Sequence, residues 1–168
     1  MMLWAMVIGL LALVVWQDFK HRAVLTWLFP LLVLLAISHS VVLQVFSFAV
    51  VLTNLAIVVV QLALLNLLLY GKQKKWLMRG EHWLGWGDVA FFAVLTCCFS
   101  TVNFIVFYVA SLTIVLLATL LTLALGRRVA TIPLAGGQAA LLVIVLLADH
   151  AHWGRRLYVD IDIMKFIP

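Results

Sequence analysis

Charge is what this sequence has least of. Of 168 residues only 10% are charged, while 67% are hydrophobic. A soluble domain is nearer half apolar and a quarter charged. The acids number six: Asp18, Glu81, Asp88, Asp149, Asp160 and Asp162. The chain also has no long lysine- and arginine-rich run with interleaved aromatics of the kind that binds nucleic acid, so no nucleic-acid partner is expected. Its two cysteines, Cys97 and Cys98, are adjacent in an apolar run. That spacing makes neither a zinc site nor a CxxC redox pair. Two small packing residues are the simpler reading, and no metal or cofactor is expected. Met1 to Val15 has no basic n-region and no small-residue cleavage signal, so it reads as a retained helix.

What is present is a series of apolar runs, and a helix needs about 20 such residues to cross a ~30 Å hydrocarbon core. The runs are Met1 to Gln17, Val24 to Ile37, Val41 to Tyr70, about Trp83 to Phe99, Phe104 to Leu125 and Pro133 to Ala148. They predict an all-α integral membrane protein, a bundle of about six transmembrane helices, in the lipid bilayer. Residues 1–149 form the membrane domain, and residues 150–168 form a short extracytoplasmic tail. Pro30 is expected to kink the second run or mark a bend, and Ser38-His39-Ser40 to break it. Gly71 to Leu84 alternates basic residues with Trp76, Leu77 and Trp83, which suits a segment lying in the headgroup layer. A fourth helix starting only at Asp88 would be about 18 Å long, too short to span. It is therefore expected to start earlier, with Asp88 about a turn inside.

The basic residues set the topology. Odd-numbered runs lead into loops holding Lys20, Arg22, Lys72, Lys74, Lys75, Arg79, Arg127 and Arg128. The other side holds only Arg155, Arg156 and Lys165, all in the tail. Cytoplasmic loops carry the excess of lysine and arginine. Both termini are thus expected outside. Asp18, closing the first run, and Asp88, opening the fourth, fall at the same cytoplasmic face.

An ionisable group at a membrane helix end is costly without a partner or a task. Two carboxyls a few ångströms apart share one proton. The ionised one then acts as a general base on water, and the protonated one donates to a carbonyl oxygen. Gly85 and Gly87, in Gly85-Trp86-Gly87-Asp88, would let the backbone turn and a substrate strand approach. The structural alternative is that Asp88 caps a helix and Asp18 pairs with a nearby lysine or arginine.

At these residues the chain resembles the type IV prepilin peptidases, aspartic proteases of the inner membrane. Asp18-Phe19-Lys20-His21-Arg22-Ala23-Val24 is similar to the family's first aspartate and the basic residues after it. Gly85-Trp86-Gly87-Asp88-Val89 matches the Gly-x-Gly-Asp motif at the second, and Ile132-Pro133-Leu134-Ala135-Gly136 is similar to the Ile-Pro motif opening the last span. The resemblance covers roughly residues 1–149. It implies a membrane aspartic endopeptidase with Asp18 and Asp88 catalytic, and with Gly85, Gly87, Pro133 and Gly136 positioning substrate. It further implies a pilin-like precursor as partner, cut at the cytoplasmic face of the bacterial inner membrane. There are departures from the family pattern. Leu25-Thr26 stands for Pro-Asn, Ala90 for a lysine and Gly136 for a second proline. The cysteine-rich methyltransferase domain of longer members is absent, so neither N-methylation nor zinc is implied. Two rivals are a catalytically silent relative that binds pilin-like helices and a proton-coupled transporter. A transporter is expected to show more polar groups along its spans than Asn54, Gln61, Asn66 and Gln138.

The remaining polar residues have simpler readings. Asn54 and Gln61 share a helix face and suit interhelical hydrogen bonds. Gly136-Gly137-Gln138 suits either close helix packing or a loosened helix mouth. Glu81 and His82 read as interfacial, and His150 and His152 lie on the outer side. Tyr158 to Ile163 alternates like a short strand. Oligomeric state has no signature in the sequence.

Overall fold

A computed structural model of the chain describes residues 2–21, 23–73, 85–126, 133–150 and 156–158. The apolar runs coil into six helices: α1 (Met2–His21), α2 (Leu28–Val42), α3 (Phe48–Gln73), α4 (Trp86–Thr96), α5 (Thr101–Ala124) and α6 (Leu134–His150), followed by one 3-10 turn, Arg156–Tyr158. Among the described residues there is no strand. α1, α3 and α5 contain stretches long and apolar enough to cross a membrane. α2, α4 and α6 are shorter apolar helices of 15, 11 and 17 residues. At 1.5 Å per residue α4 is about 16 Å long, roughly half the hydrocarbon thickness.

The helices pack in a ring, α1–α2–α4–α3–α5–α6 and back to α1, and α4 also touches α6 across it. Leu11, Phe91, Leu95, Phe104 and Leu142 are fully buried between them. Tyr108 lies edge-on to Phe92 and stacks on Phe104, at centroid distances of 5.2 and 5.4 Å. Outward-facing positions are just as apolar. On α5, Ile105, Val106, Val109, Leu116, Leu117, Leu120 and Leu121 are all exposed. A face of that size in water would drive association, whereas in hydrocarbon it is the ordinary surface of a membrane protein.

Several expected boundaries shift, each for a local reason. Ser38-His39-Ser40 does not break α2. The Ser40 hydroxyl donates to the Ile37 carbonyl at 2.8 Å, so its polarity is satisfied inside the helix. The chain turns further on, where Gln44 adopts φ 56°, and α3 begins at Phe48 rather than Val41. Pro30 is the third residue of α2, in the first turn, where no earlier carbonyl of the helix awaits its missing N–H. Of a kink and a bend, Pro30 thus goes with the bend, just after the turn at Thr26 and Trp27. α5 starts at Thr101, with Ser100 as the residue before it, and α4 stops at Thr96. Asp88 is the third residue of α4, nearer its start than expected. The expected interfacial segment begins inside α3, which runs to Gln73, and its remainder, including Glu81 and His82, lies outside the described residues, as do His152 and the strand-like stretch beyond Tyr158.

The interhelical hydrogen bonds are where the polar spacing puts them. Asn54 Nδ2 donates to the carbonyls of Thr96 and Phe99 at 3.2 Å each, tying α3 to the end of α4. Gln61 is hydrogen-bonded to the Tyr108 phenol. Cys97 and Cys98 are buried free thiols. At this end of the bundle the 3-10 turn docks on α5: the Leu157 carbonyl accepts the Ser100 N–H at 2.8 Å and Asn103 Nδ2 at 3.2 Å.

Candidate active site

The first amides of any helix lack intrahelical partners. In α6 they are satisfied by side chains from two other helices. The Ala135 N–H donates to Asp88 Oδ1 at 2.9 Å, and the next amide, Gly136 N–H, donates to Asp18 Oδ2 at 2.6 Å. Successive helical nitrogens are about 3 Å apart, so these bonds hold an oxygen of each carboxyl within about 8 Å of the other. Asp88 Oδ2 also accepts the Gly85 N–H at 3.2 Å, which closes the first turn of its own helix. The carboxyl of Asp88 thus joins the starts of α4 and α6.

Asp18 is at the unfavourable end of its own helix, one turn from the C-terminus of α1, where the macrodipole repels an anion. The start of α6 supplies the opposite end of a dipole and a directed N–H in compensation. Asp18 is 9% exposed, while Asp88 is half-buried. Neither is ion-paired with a basic side chain among the described residues.

The fit at Gly136 is steric as well as polar. A Cβ there would fall 2.8 Å from both Cβ and Oδ2 of Asp18. Only glycine lets the two helices approach this closely. The residue that departs from the resembled motif is thus the one this geometry requires. Gly137 is equally confined, since its Cβ would meet Val115 Cγ2 at 2.6 Å. The glycines of the Gly-x-Gly-Asp stretch are less constrained. Gly85 has φ −77° and ψ 147°, open to any residue, although a Cβ would sit 3.2 Å from Asp88 Oδ2. A Cβ on Gly87 would make an ordinary 3.7 Å contact with Phe29. Pro133 directly precedes α6, and its carbonyl accepts the Gly137 N–H at 3.0 Å.

Both aspartates line one cavity of about 270 Å³, walled also by Ala23, Val24, Thr26, Phe29 and Ala90. Among the described residues its lining contains no basic side chain. Trp86 is 73% exposed beside it. The connection leading into α2 is held by the Leu25 N–H, which donates to Gln17 Oε1 at 3.0 Å. The part missed by sequence reasoning is the pair of donors, the amides of Ala135 and Gly136. Pro133 was their signal, because proline is favoured where a helix begins and free N–H groups follow. Among the described residues no group of three histidine, cysteine or acidic side chains is placed to hold a metal.

No family model, no curated protein and no solved structure matches the chain.

Proposed function

We propose that this chain is an aspartic endopeptidase of prepilin-peptidase type, cutting the leader of a pilin-like precursor at the cytoplasmic face of the bacterial inner membrane. The observation that carries this reading is the convergence of Asp18 and Asp88 on one cavity at the start of α6. In the reaction, an ionised carboxylate takes a proton from water as its oxygen attacks the peptide carbonyl carbon. The protonated partner donates to the carbonyl oxygen, giving a tetrahedral diol. Breakage of the C–N bond then passes a proton to the leaving amine and regenerates the shared-proton pair. The amides of Ala135 and Gly136 hold both carboxyls in place at no reorganisation cost during the reaction.

One observation favours a second reading, the catalytically silent relative: both carboxylates already cap α6. Replacement by asparagine separates the two. Asp18→Asn and Asp88→Asn each keep an oxygen acceptor of the same size but lose the titrating group. Each is expected to abolish processing of a pilin-like precursor in membranes, read as loss of the mass shift, and the double variant is expected to be no worse. Asp149→Asn, at the far end of α6, is expected to process normally. If both single variants cleave near the wild-type rate, the cleavage belongs to a contaminating protease and the chain is left as a silent relative.

A further inference from the structure

The catalytic cavity continues sideways. Thr26, Phe29 and Ala90 wall both it and a groove of about 460 Å³ between α2 and α4. The groove is lined by Pro30, Val33, Leu34 and Ile37 on one side and by Ala90 and Ala93 on the other. It opens outward, since Leu34 is 62% exposed. A second, larger groove of about 700 Å³ runs between α1 and α6, lined by Val15, Trp16, Lys20, Val143 and Ile144 among others. It shares no residue with the dyad cavity. At its dyad end Lys20 Nζ sits 4.6 Å over the Trp16 ring.

We infer that the α2/α4 groove seats a transmembrane helix of the cleaved protein, with that helix's cationic flank lying in the dyad cavity. The inference rests on the proteolytic reading above and adds where the substrate's membrane segment goes. An extended peptide cannot occupy the groove, because its lining offers almost no polar groups and every backbone N–H and C=O would be left unpaired. The occupant must satisfy its own backbone, as a helix does. Ala90 and Ala93 lie one above the other on α4, and small residues there let a second helix approach closely. Charge sets the orientation. Among the described residues the cavity at the groove's end presents two carboxyls and no basic side chain, so this lining complements a cationic flank, whereas the α1/α6 groove ends at Lys20 and repels one.

The test uses the full chain in liposomes with Cys97→Ala and Cys98→Ala, carrying either Ala93→Cys or Ile144→Cys. The probe is a synthetic helix of about 20 leucines and alanines, preceded by three lysines, with one cysteine a turn into the apolar part. Oxidative cross-linking is expected to give roughly tenfold more adduct at position 93 than at 144, and several-fold less when glutamates replace the lysines. Equal adduct at both positions, or adduct insensitive to the flank, overturns the inference and leaves the groove to lipid. Leu34→Trp and Ala93→Trp fill the groove from opposite walls. Each is expected to raise KM for a pilin-like precursor severalfold with kcat retained, while Ile144→Trp changes neither. Normal kinetics in both groove variants would refute the docking with the protease intact. Selective, charge-dependent cross-linking by a chain that cuts nothing would uphold the docking and remove the protease.

Discussion

The two ends of the bundle solve the same problem with different chemistry. Each must satisfy the free polar groups of helix termini inside an apolar body. At the tail end the work is done by neutral groups: Asn54 Nδ2 donates to the Thr96 and Phe99 carbonyls, and the Leu157 carbonyl accepts the Ser100 N–H. At the dyad end the acceptors are two carboxyls. A carboxylate in such a place is far more expensive than an amide, in a chain with only six acids. Since neutral groups suffice at one end, capping alone does not account for aspartate at the other. The surplus is a titratable proton, which the proposed hydrolysis would use.

The largest effect expected from that contrast is in Asp18→Asn and Asp88→Asn. The asparagine oxygen still accepts the Gly136 or Ala135 N–H, so the dyad end would come to resemble the tail end, although in Asp88→Asn the Gly85 N–H loses its acceptor. Cleavage should fall on the order of 10³-fold or more, as for other members of a catalytic unit. The unfolding midpoint of Asp18→Asn in detergent should stay near that of the wild type, and Asp88→Asn should lose no more than one capping bond, about 1 kcal/mol. A variant that unfolds as it loses activity would show instead that the charge serves the fold.

Gly136→Ala tests the same end by sterics. Its Cβ meets Asp18 2.8 Å away, so the aspartate must move. A displacement of about 1 Å at reacting groups removes roughly 10²-fold in rate. Gly137→Ala is the internal control, because its clash is with Val115 on α5 and not with either carboxyl. Overpacking of this kind costs about 1–3 kcal/mol. Both variants should lose stability of that size, measured by denaturant titration in detergent. Only Gly136→Ala should lose most of its turnover per folded molecule, and Val115→Ala should restore stability to Gly137→Ala alone.

These two glycines also mark how far the sequence could be read. Composition and the apolar runs were enough for an all-helical membrane bundle, and the count of spans was enough to put Asp18 and Asp88 at one end of it. What linear spacing does not carry is the third helix between them. In sequence Gly136 looks like the loss of a proline, whereas in three dimensions it is the contact surface for Asp18. Likewise Ser38-His39-Ser40 reads as a polar break. Yet a serine hydroxyl that bonds back to its own helix leaves nothing unsatisfied, and α2 runs on. The unexpected features depend on partners distant in sequence or on local back-bonding, neither of which hydropathy registers.

At the tail end the effects are on stability alone. Asn54→Ala leaves the carbonyls of Thr96 and Phe99 without the amide that serves them in a fully buried site. The expected loss is about 1–3 kcal/mol, the usual penalty for an orphaned buried polar group. Turnover per folded molecule should be unchanged, because Asn54 is at the opposite end of α4 from Asp88. A fall in turnover with stability preserved would mean that α4 transmits the state of its far end to the dyad, against the separation of roles drawn between the two ends.

The smallest effect is expected at Ser100, where the usual rule for helix starts should fail. Serine before a helix normally caps it, and its replacement by alanine costs about 1 kcal/mol. Here Ser100 precedes α5 but its hydroxyl makes no capping bond, and Oγ is buried without a protein partner. Its amide, by contrast, is served by the Leu157 carbonyl. Ser100→Ala keeps that amide bond and removes a buried hydroxyl with no protein acceptor, so stability should be unchanged or rise by up to about 1 kcal/mol. The cavity of about 30 Å³ beside it, lined by Ser40, Ser47, Cys97 and Tyr158 among others, is large enough for one water. If Ser100→Ala destabilises by a full 1 kcal/mol instead, a bound water bridges Oγ to those groups. The neutral end would then be held by solvent as well as by the tail.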